Sequence, residues 1–228
     1  MGTLTAQVLM DRVATVLNDA TNVRWVQQDL VRYLNDGQRE TVLLKPEACV
    51  SNASAVLTAS STKQSIPATG IALVDVVRNM GANGTTVGKV IRNVDRDVLD
   101  TLSLDWHTDA ADAVNGIQHF TFDPRDPKHY YVYPQAPASA WYVELVCSIN
   151  PADLPYGVSD NANTTVISLD DIYANALCDY MLYRAYSRDA ESGNAGLAAA
   201  HYQAFANSLG VKTQNEVQRN PNAASQAK

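Results

Sequence analysis

The sequence has few cysteines and no long apolar run. Its three cysteines, Cys49, Cys147 and Cys178, are an odd number without CxxC spacing, which implies neither a disulfide framework nor a zinc site. No stretch approaches the roughly 18 uninterrupted apolar residues of a membrane span. The first residues lack the basic and apolar regions of a signal peptide. The sequence therefore predicts a soluble protein made in a reducing cytoplasm.

Positive charge is also scarce. Lys and Arg number 17 against 24 Asp and Glu, so the 228-residue chain has a net charge of −7. Dedicated nucleic-acid binders carry a basic face, and this balance argues against that class. It remains compatible with contact to DNA that passes without sticking. With 46% hydrophobic residues the chain is globular and can bury a core without metals or disulfides.

Motifs for catalysis or cofactor binding are absent. The sequence has no phosphate loop, GxSxG elbow, HExxH motif or EF-hand loop, so no enzyme activity and no cofactor are expected. Asp105, His107 and Asp109 form the densest group of metal-type ligands. Metal sites need three or four convergent ligands, and the alternative is that Trp106 anchors a solvated turn. No metal is therefore expected.

Four acids lie close together in the same region. Asp95, Asp97, Asp100 and Asp105 are candidates for the carboxylate pair of a glycoside hydrolase. The alternative is a helix cap followed by a solvated face, because nothing in the sequence sets one of their pKa values above another.

A tyrosine-rich segment offers a third candidate site. Tyr130, Tyr131 and Tyr133 are typical of a platform on which sugars or bases stack. Alternating aromatics in a strand equally indicate one face in the core and one face in a subunit contact.

Hydrophobic periodicity predicts helices at the start of the chain. Apolar residues at helical spacing indicate one helix over about 5–18 and a second from Val26 to Leu44. Gly37 lies on the apolar face of the second helix. Because glycine is unfavourable inside a helix, we expect another backbone to come close at that point.

The middle of the chain has strand-like patterns instead. Apolar runs or alternation predict strands over 71–77, 120–122, 130–133 and 141–149. Asn83-Gly84 indicates a type I′ hairpin turn, which needs positive φ at both positions. Asp95 is expected to cap a short helix.

Helices return near the C-terminus. The Ser168 hydroxyl is expected to cap the N-terminus of a helix, and the acid Asp171 favours the positive charge at that end. Residues 172–186 are expected to form this helix, which is apolar around most of its circumference. After a short reversal, a last antiparallel helix carries Ala198, Tyr202, Phe205 and Leu209 on one face and ends at Gly210.

These elements predict an α+β fold. Residues 1–46 and 168–210 form a helical bundle, residues 47–167 form an inserted β-rich module of sandwich or barrel type, and residues 211–228 form an extended, flexible C-terminal tail.

The apolar C-terminal helix carries a set of tyrosines and arginines on more than one face. Tyr and Arg are enriched at interface hot spots, so this set is a candidate subunit interface. The alternative is an ordinary bundle core with surface arginines. The set comprises Tyr173, Tyr180, Tyr183, Arg184, Tyr186 and Arg188.

Segments spread over residues 5–210 resemble one known family in their order and spacing. The strongest is ALCDYMLYRAYSRDAE at 176–191. The others are Trp25, LNDGQRE at 34–40, QSIP at 64–67, LVDVVRN at 73–79, Asp100, Trp106, Asp123-Pro124, Tyr133-Pro134, VELV at 143–146, Asn194, AHYQAF at 200–205 and Leu209-Gly210. Together they resemble the head-to-tail adaptor (connector) proteins of short-tailed, podovirus-type bacteriophages.

The resemblance implies a structural virion protein at the head-tail junction. Such adaptors form a ring of about twelve copies beneath the portal protein, join it to the tail nozzle protein, and extend the channel through which double-stranded DNA passes without sequence-specific binding. No membrane partner is implied. The C-terminal segment of such a protein reaches onto the portal, which implies a docking role for Val211, Lys212, Glu216, Val217, Arg219 and Lys228.

Two hypotheses from other classes stay open on the sequence. One is a carbohydrate-binding tail or adhesin module that uses Tyr130 and Tyr131. The other is a peptidoglycan-cleaving hydrolase that uses the acids between Asp95 and Asp112.

Overall fold

The structure is a computed structural model that describes residues 2–109, 116–155, 163–188 and 194–219, with residues 211–219 described by their backbone alone. The helices are α1 (Ala6–Val16), α2 (Gln27–Leu44), α3 (Arg96–Leu102), α4 (Ala174–Arg188) and α5 (Ala195–Arg219). The strands are β1 (Val50–Val56), β2 (Lys63–Ser65), β3 (Gly70–Asn79), β4 (Arg92–Asn93), β5 (His119–Phe122), β6 (His129–Tyr133) and β7 (Tyr142–Ile149). Single 3-10 turns cover Pro46–Ala48 and Asp171–Tyr173.

The chain divides into a helical unit and a β unit. The helical unit takes in Met1–Ala48 and Pro151–Lys228, and the β unit takes in Cys49–Asn150. An α+β fold with helices from both chain ends and a β-rich middle is thereby confirmed. Residues 151–155 and 163–167, which the sequence assigned to the β module, lie with the helices, because Thr5 forms a β-bridge with Val166.

Buried amides join the two segments of the helical unit. The Asn35 side chain donates to the Leu154 carbonyl at 3.2 Å and accepts from the Leu154 N–H at 2.9 Å. One turn later on α2, Gln38 Oε1 accepts from the Ser168 N–H at 2.9 Å. Asn35, Gln38 and Leu154 are all buried. Since a buried backbone group needs a partner, these side chains fix the path of the returning chain.

At the start of the C-terminal helices the predicted cap by Ser168 is absent, while Asp171 stands in the first turn, as predicted. The Ser168 hydroxyl does not cap a helix, because it accepts from the Ala152 N–H at 3.1 Å. Asp171 accepts from the Thr3 hydroxyl at 2.6 Å and from the N–H groups of Thr3 and Leu4. These bonds, that from the Thr3 hydroxyl foremost, hold the pKa of the Asp171 carboxyl below its usual value. Asp171 thus anchors the N-terminus of the chain.

Two sheets share the core of the β unit. One has the strand order β1-β7-β3 and the other has the order β2-β6-β5-β4. All pairs are antiparallel except β4 with β5, which is parallel. Alternate residues of β7 point inward, as predicted. The shared core contains Leu73, Val76, Phe120, Tyr130, Val132, Val143, Leu145 and Cys147.

Asn79 holds together three parts of the β unit. Its amide group donates to the carbonyls of Lys89 and Ile117, at 3.0 and 2.7 Å. Its Oδ1 accepts from the Ile117 N–H and from Trp141 Nε1, each at 2.9 Å. Asn79 is only 2% exposed and Ile117 is fully buried, so water does not readily replace these bonds.

Local predictions in loops and helix ends have mixed outcomes. Asp95 caps α3 by accepting from the Asp97 N–H at 3.2 Å, as predicted. The prediction of a type I′ turn at Asn83-Gly84 is wrong. Gly81 and Gly84 have positive φ but Asn83 does not, and Asn83 Oδ1 instead accepts from two following N–H groups. The predicted helix end at Gly210 is also wrong, since α5 continues to Arg219.

No helix among the described residues is long and apolar enough to cross a membrane.

We predict that Asn79→Ala destabilises the β unit by about 3 kcal/mol, because it removes the partner of both buried backbone groups of Ile117 and of the Trp141 indole N–H. Urea denaturation combined with hydrogen exchange of β3 and β7 measures the loss. Asn93→Ala, at an exposed position of β4, serves as the control and should change stability by no more than about 0.5 kcal/mol. Equal effects of the two substitutions would contradict this role of Asn79.

Candidate interaction surface of the helical unit

Tyr180 of α4 packs between α2 and α5. A Cβ built on Gly37 of α2 would lie 3.0 Å from Tyr180 Cδ1, so only glycine lets this ring approach without displacement. On its other side, the Tyr180 ring meets Phe205 of α5 edge-on, with centroids 5.2 Å apart. The close approach expected at Gly37 is therefore made by a side chain and not by a backbone. It places α4 in contact with both neighbouring helices.

A series of aromatic contacts continues along α4 and α5 towards the surface. Tyr183 lies 5.0 Å from Tyr202 and Tyr186 stacks at 5.6 Å on the ring of His201, centroid to centroid. Asp179 and His201 Nδ1 are 2.9 Å apart, which adds a polar contact between the helices. These pairings confirm that α4 and α5 are antiparallel. Each ring is fixed by a neighbour and still reaches solvent in part.

Charged contacts join α4 to α2 beside the aromatic series. Arg184 lies 3.4 Å from an Asp36 carboxylate oxygen, and its guanidinium sits 5.6 Å from the centroid of the Tyr33 ring. One turn later, Arg188 forms an ion pair with Asp29. Solvent-exposed ion pairs contribute little to stability, roughly 0 to 1 kcal/mol each. Their main effect is to hold two long side chains in defined positions at the surface.

The six residues predicted at a subunit interface fall into two groups. Tyr173 and Tyr180 are buried within the chain, at 4% and 5% exposure, and offer almost no surface to a neighbour. Tyr183, Arg184 and Tyr186 are half-buried, and Arg188 is exposed. We call these last four residues the α4 rim.

The residues predicted to dock on the portal lie at the end of the chain. Val211, Lys212, Glu216, Val217 and Arg219 belong to the last turns of α5. The first part of the predicted tail is thus helical and continuous with the bundle. Lys228 lies outside the described residues, as does the rest of the segment 220–228.

Sequence reasoning missed the partners of the α4 rim. Asp29, Tyr33 and Asp36 on α2 are spaced by four and three residues, which places them on one helix face. Arg184 and Arg188 have the matching spacing of four on α4. This complementary pattern was a usable signal, but it shows only once the two helices are known to be neighbours.

Three of the candidate metal and acid residues, Asp95, Asp100 and His107, make structural contacts, and Asp112 lies outside the described residues. His107 Nδ1 lies 2.9 Å from the Thr62 hydroxyl, and its ring stacks on Trp106. Trp106 is buried and donates through Nε1 to Asp100 at 2.8 Å. Asp95 caps α3, as described above. Among the described residues, no group of three His, Cys, Asp or Glu side chains is arranged to hold a metal ion.

The tyrosines considered as a sugar platform are engaged within the β unit. Tyr130 is 1% exposed and belongs to the core. The rings of Tyr131 and Tyr133 each meet Trp106 edge-on at 6.4 Å, and Tyr133 also stacks on His119. The side chains that a carbohydrate module would use are therefore packed against other parts of the protein.

The cysteines have the properties of structural thiols. Burial raises the pKa of Cys49 and raises the pKa values of Cys147 and Cys178 to about 11. A reactive cysteine needs a lowered pKa, because the thiolate is the nucleophile. None of the three thiols has the properties of a nucleophile at neutral pH.

The described side chains of the helical unit thus bind helices together through aromatic and charged groups. Comparison with known families gives the specific assignment. The family model described as SU10 adaptor protein matches residues 4–227, nearly the whole chain, and the chain belongs to this family. It is a structural adaptor of the bacteriophage virion. No curated protein matches the sequence.

We predict that Tyr180→Ala destabilises the helical unit by about 3 to 5 kcal/mol, because the cavity lies between three helices. Tyr180→Phe keeps the ring and loses only the weak 3.4 Å bond from Arg184, so it should cost no more than about 1 kcal/mol. Urea denaturation followed by far-ultraviolet circular dichroism compares the two variants. A Phe variant as unstable as the Ala variant would show that the hydroxyl matters more than the packing.

Proposed function

We propose that this chain is the head-to-tail adaptor of a short-tailed bacteriophage. Copies of it form a ring of about twelve beneath the portal protein, and the ring joins the portal to the tail nozzle protein and extends the DNA channel. The observation that carries the proposal is the match of the SU10 adaptor family over residues 4–227. The structural contacts of Asp95, Asp100 and His107, which were candidates for catalysis or metal binding, support it.

The α4 rim is proposed as part of the contact between neighbouring copies. Tyr183, Arg184 and Tyr186 combine half-buried aromatic rings with a guanidinium, the chemistry enriched in interface hot spots. Their contacts with Tyr202, Asp36 and His201 restrict their conformations before a neighbour binds. Less conformational entropy is then lost on binding.

The end of α5 and the segment beyond it are proposed to dock on the portal. Lys212, Glu216 and Arg219 bring charges of both signs to the last helical turns, and Val211 and Val217 bring apolar groups. The segment has few apolar residues of its own to bury. A partner that binds this helix end would supply the surface against which it packs.

The charge of the protein suits a channel wall. With a net charge of −7, the ring would repel DNA phosphates on average, so that double-stranded DNA slides past without binding. The proposal includes no sequence-specific DNA contact, no membrane and no cofactor.

We predict that deletion of residues 211–228 abolishes docking to the portal and changes the melting temperature by no more than about 3 °C. The reason is that the core residues described on α5, which are Ala198, Phe205 and Leu209, all precede the deletion. Mass photometry of portal particles mixed with the truncated protein measures docking.

A shorter deletion, of residues 220–228, separates the helix end from the last residues. Loss of docking only in the longer deletion would assign the contact to 211–219, whereas loss in both would assign it to 220–228. Normal docking by the 211–228 deletion would contradict the proposed role of the whole segment.

We also predict that the double substitution Tyr183→Ala with Tyr186→Ala lowers the yield of rings at least about tenfold, because it removes two aromatic anchors from the α4 rim. Negative-stain microscopy of adaptor assembled on the portal measures ring yield. Thermal unfolding of the free protein measures the cost within one chain, where each ring has one partner on α5.

Tyr180→Ala provides the matched control, since it removes a tyrosine of the same helix that is buried in the chain. For that variant the loss of rings should follow the loss of folded protein. A double variant that melts far below the wild type but assembles normally when folded would place Tyr183 and Tyr186 in the core of one chain.

A further inference from the structure

Strand β1 lies at the open edge of its sheet. It pairs with β7 along one side, and no described segment pairs with its other side. The pairing runs from Val50 opposite Ser148 to Val56 opposite Tyr142 without a register shift. A regular edge strand of this kind presents a row of unpaired N–H and C=O groups.

The hydrogen-bond pattern shows which residues present those groups. The Ile149 N–H donates to the Cys49 carbonyl, and the Leu57 N–H donates to the Trp141 carbonyl. These two residue pairs continue the register of β1 and β7 at either end. Hydrogen-bonded pairs recur at every second residue of an antiparallel ladder. The odd-numbered residues of β1 therefore bond to β7. The N–H and C=O groups of the even-numbered residues point to the open edge, and these residues are Val50, Asn52, Ser54 and Val56.

This edge lacks the features that normally prevent strand pairing. The β1 sequence, VSNASAV, contains no proline and no charged residue, and the strand has no bulge. In the same unit, β2 is only three residues long and carries Lys63, and β3 has three register shifts. Natural proteins protect edges by such short strands, charges and bulges. An unprotected edge strand of this kind is a template for pairing with another chain.

We propose that β1 pairs with β1 of a second copy, antiparallel and centred on Ala53. In this register Val50 lies opposite Val56 of the second copy, and Asn52 lies opposite Ser54. All four are residues whose backbone groups face the open edge, so every outward N–H has an outward C=O opposite it. The strand is thus complementary to itself in its backbone pattern. The two three-stranded sheets become one continuous sheet of six strands.

The side chains of β1 also match in this register. Val50 and Val56 are 47% and 58% exposed, and pairing places them side by side at both ends of the contact. Asn52 and Ser54, both exposed, meet as polar neighbours in the middle. The sequence has apolar ends and a polar centre, which is the arrangement that antiparallel self-pairing brings together.

Nearby charges do not oppose the contact. Glu144 of β7 is the acid beside β1, and it accepts from Asn52 Nδ2 at 2.9 Å and forms an ion pair with Arg78. These bonds, that from Asn52 foremost, hold the pKa of the Glu144 carboxyl below its usual value. The charge is therefore compensated within its own copy, and two copies meet as neutral edges.

Two-fold symmetry separates this contact from the proposed ring. Pairing of β1 with itself is isologous and closes at two copies, whereas neighbours in a cyclic ring of twelve meet through two different surfaces. The β1 pair is consequently a form of the free adaptor, held by one neutral strand edge. It does not depend on the proposed portal docking, and ring assembly on the portal provides an independent readout.

The test replaces Val50 and Val56 together by lysine. In the proposed register the side chain at position 50 faces the side chain at position 56 of the second copy, so the variant places two ammonium groups opposite one another at each end of the contact. Like charges in that arrangement weaken strand pairing. Analytical ultracentrifugation of wild-type protein over a concentration series should show a monomer–dimer equilibrium. The Val50→Lys, Val56→Lys variant should raise the dissociation constant about tenfold or more.

Two controls isolate the register from the charge. Val87→Lys with Val90→Lys adds the same two charges at valines that are each 61% exposed in the same unit, and it should dimerise like the wild type. The variant Val50→Glu, Val56→Glu should fail to pair with itself but should pair with the lysine variant. Ser54 is left unchanged, because a Cβ on Gly84 would lie 3.1 Å from its Oγ and a longer side chain would disturb that turn.

Recovery of dimers only in the mixture of lysine and glutamate variants would establish the pairing, since two unfolded variants cannot rescue one another. A wild-type protein that stays monomeric at all concentrations would overturn the proposal. Dimers that are insensitive to both charge variants would also overturn it, because they would form through another surface. Normal rings on the portal with the lysine variant would show that the two contacts are distinct.

Discussion

The helical unit depends on the buried amide of Asn35. This side chain forms hydrogen bonds with both the N–H and the C=O of Leu154. It thereby satisfies the backbone of one residue of the returning chain, as a paired strand would. The two residues are 119 positions apart, and the closure of so long a loop costs entropy that only a well-satisfied contact offsets. Gln38 adds a single bond, in which its Oε1 accepts from the Ser168 N–H. Together they determine where the chain is when α4 begins, and therefore which face α4 turns towards α2.

The position of α4 in turn decides which side chains remain available to other molecules. Because Tyr180 fits against Gly37, Tyr183, Arg184 and Tyr186 lie half-buried at the boundary between core and solvent. Tyr183 and Tyr186 then pack on α5, and Arg184 and Arg188 reach the acids of α2. The same helix supplies the centre of the bundle and a rim of partly exposed contact residues.

Much of this fold could be predicted from the sequence, where a pattern is repeated over many residues. The helix α2 and the strand β7 carry apolar periodicity, and the helix α4 and the strand β3 carry longer apolar runs. Predictions that rested on one residue did less well. Ser168 and Asp171 are residue types that often cap helices. In the structure their side-chain oxygens accept hydrogen bonds from Ala152, Thr3 and Leu4. These partners are distant in the sequence, so no local pattern reveals them. At Gly210 the cost of glycine in a helix, about 1 kcal/mol, is too small to end α5.

The α4 rim and the β1 edge were accessible to sequence reasoning to different degrees, for a common physical reason. Residue types identify a tyrosine and arginine surface, but only the structure separates Tyr180 in the core from Tyr183 at the rim. The β1 edge has no distinctive residue type. Which of its backbone N–H and C=O groups face outward follows only from its register and hydrogen bonding with β7. In both places the folded chain holds the groups that are proposed to make contacts in fixed positions. Preorganisation of this kind lowers the entropy lost on association, so modest surfaces can support specific contacts in an adaptor.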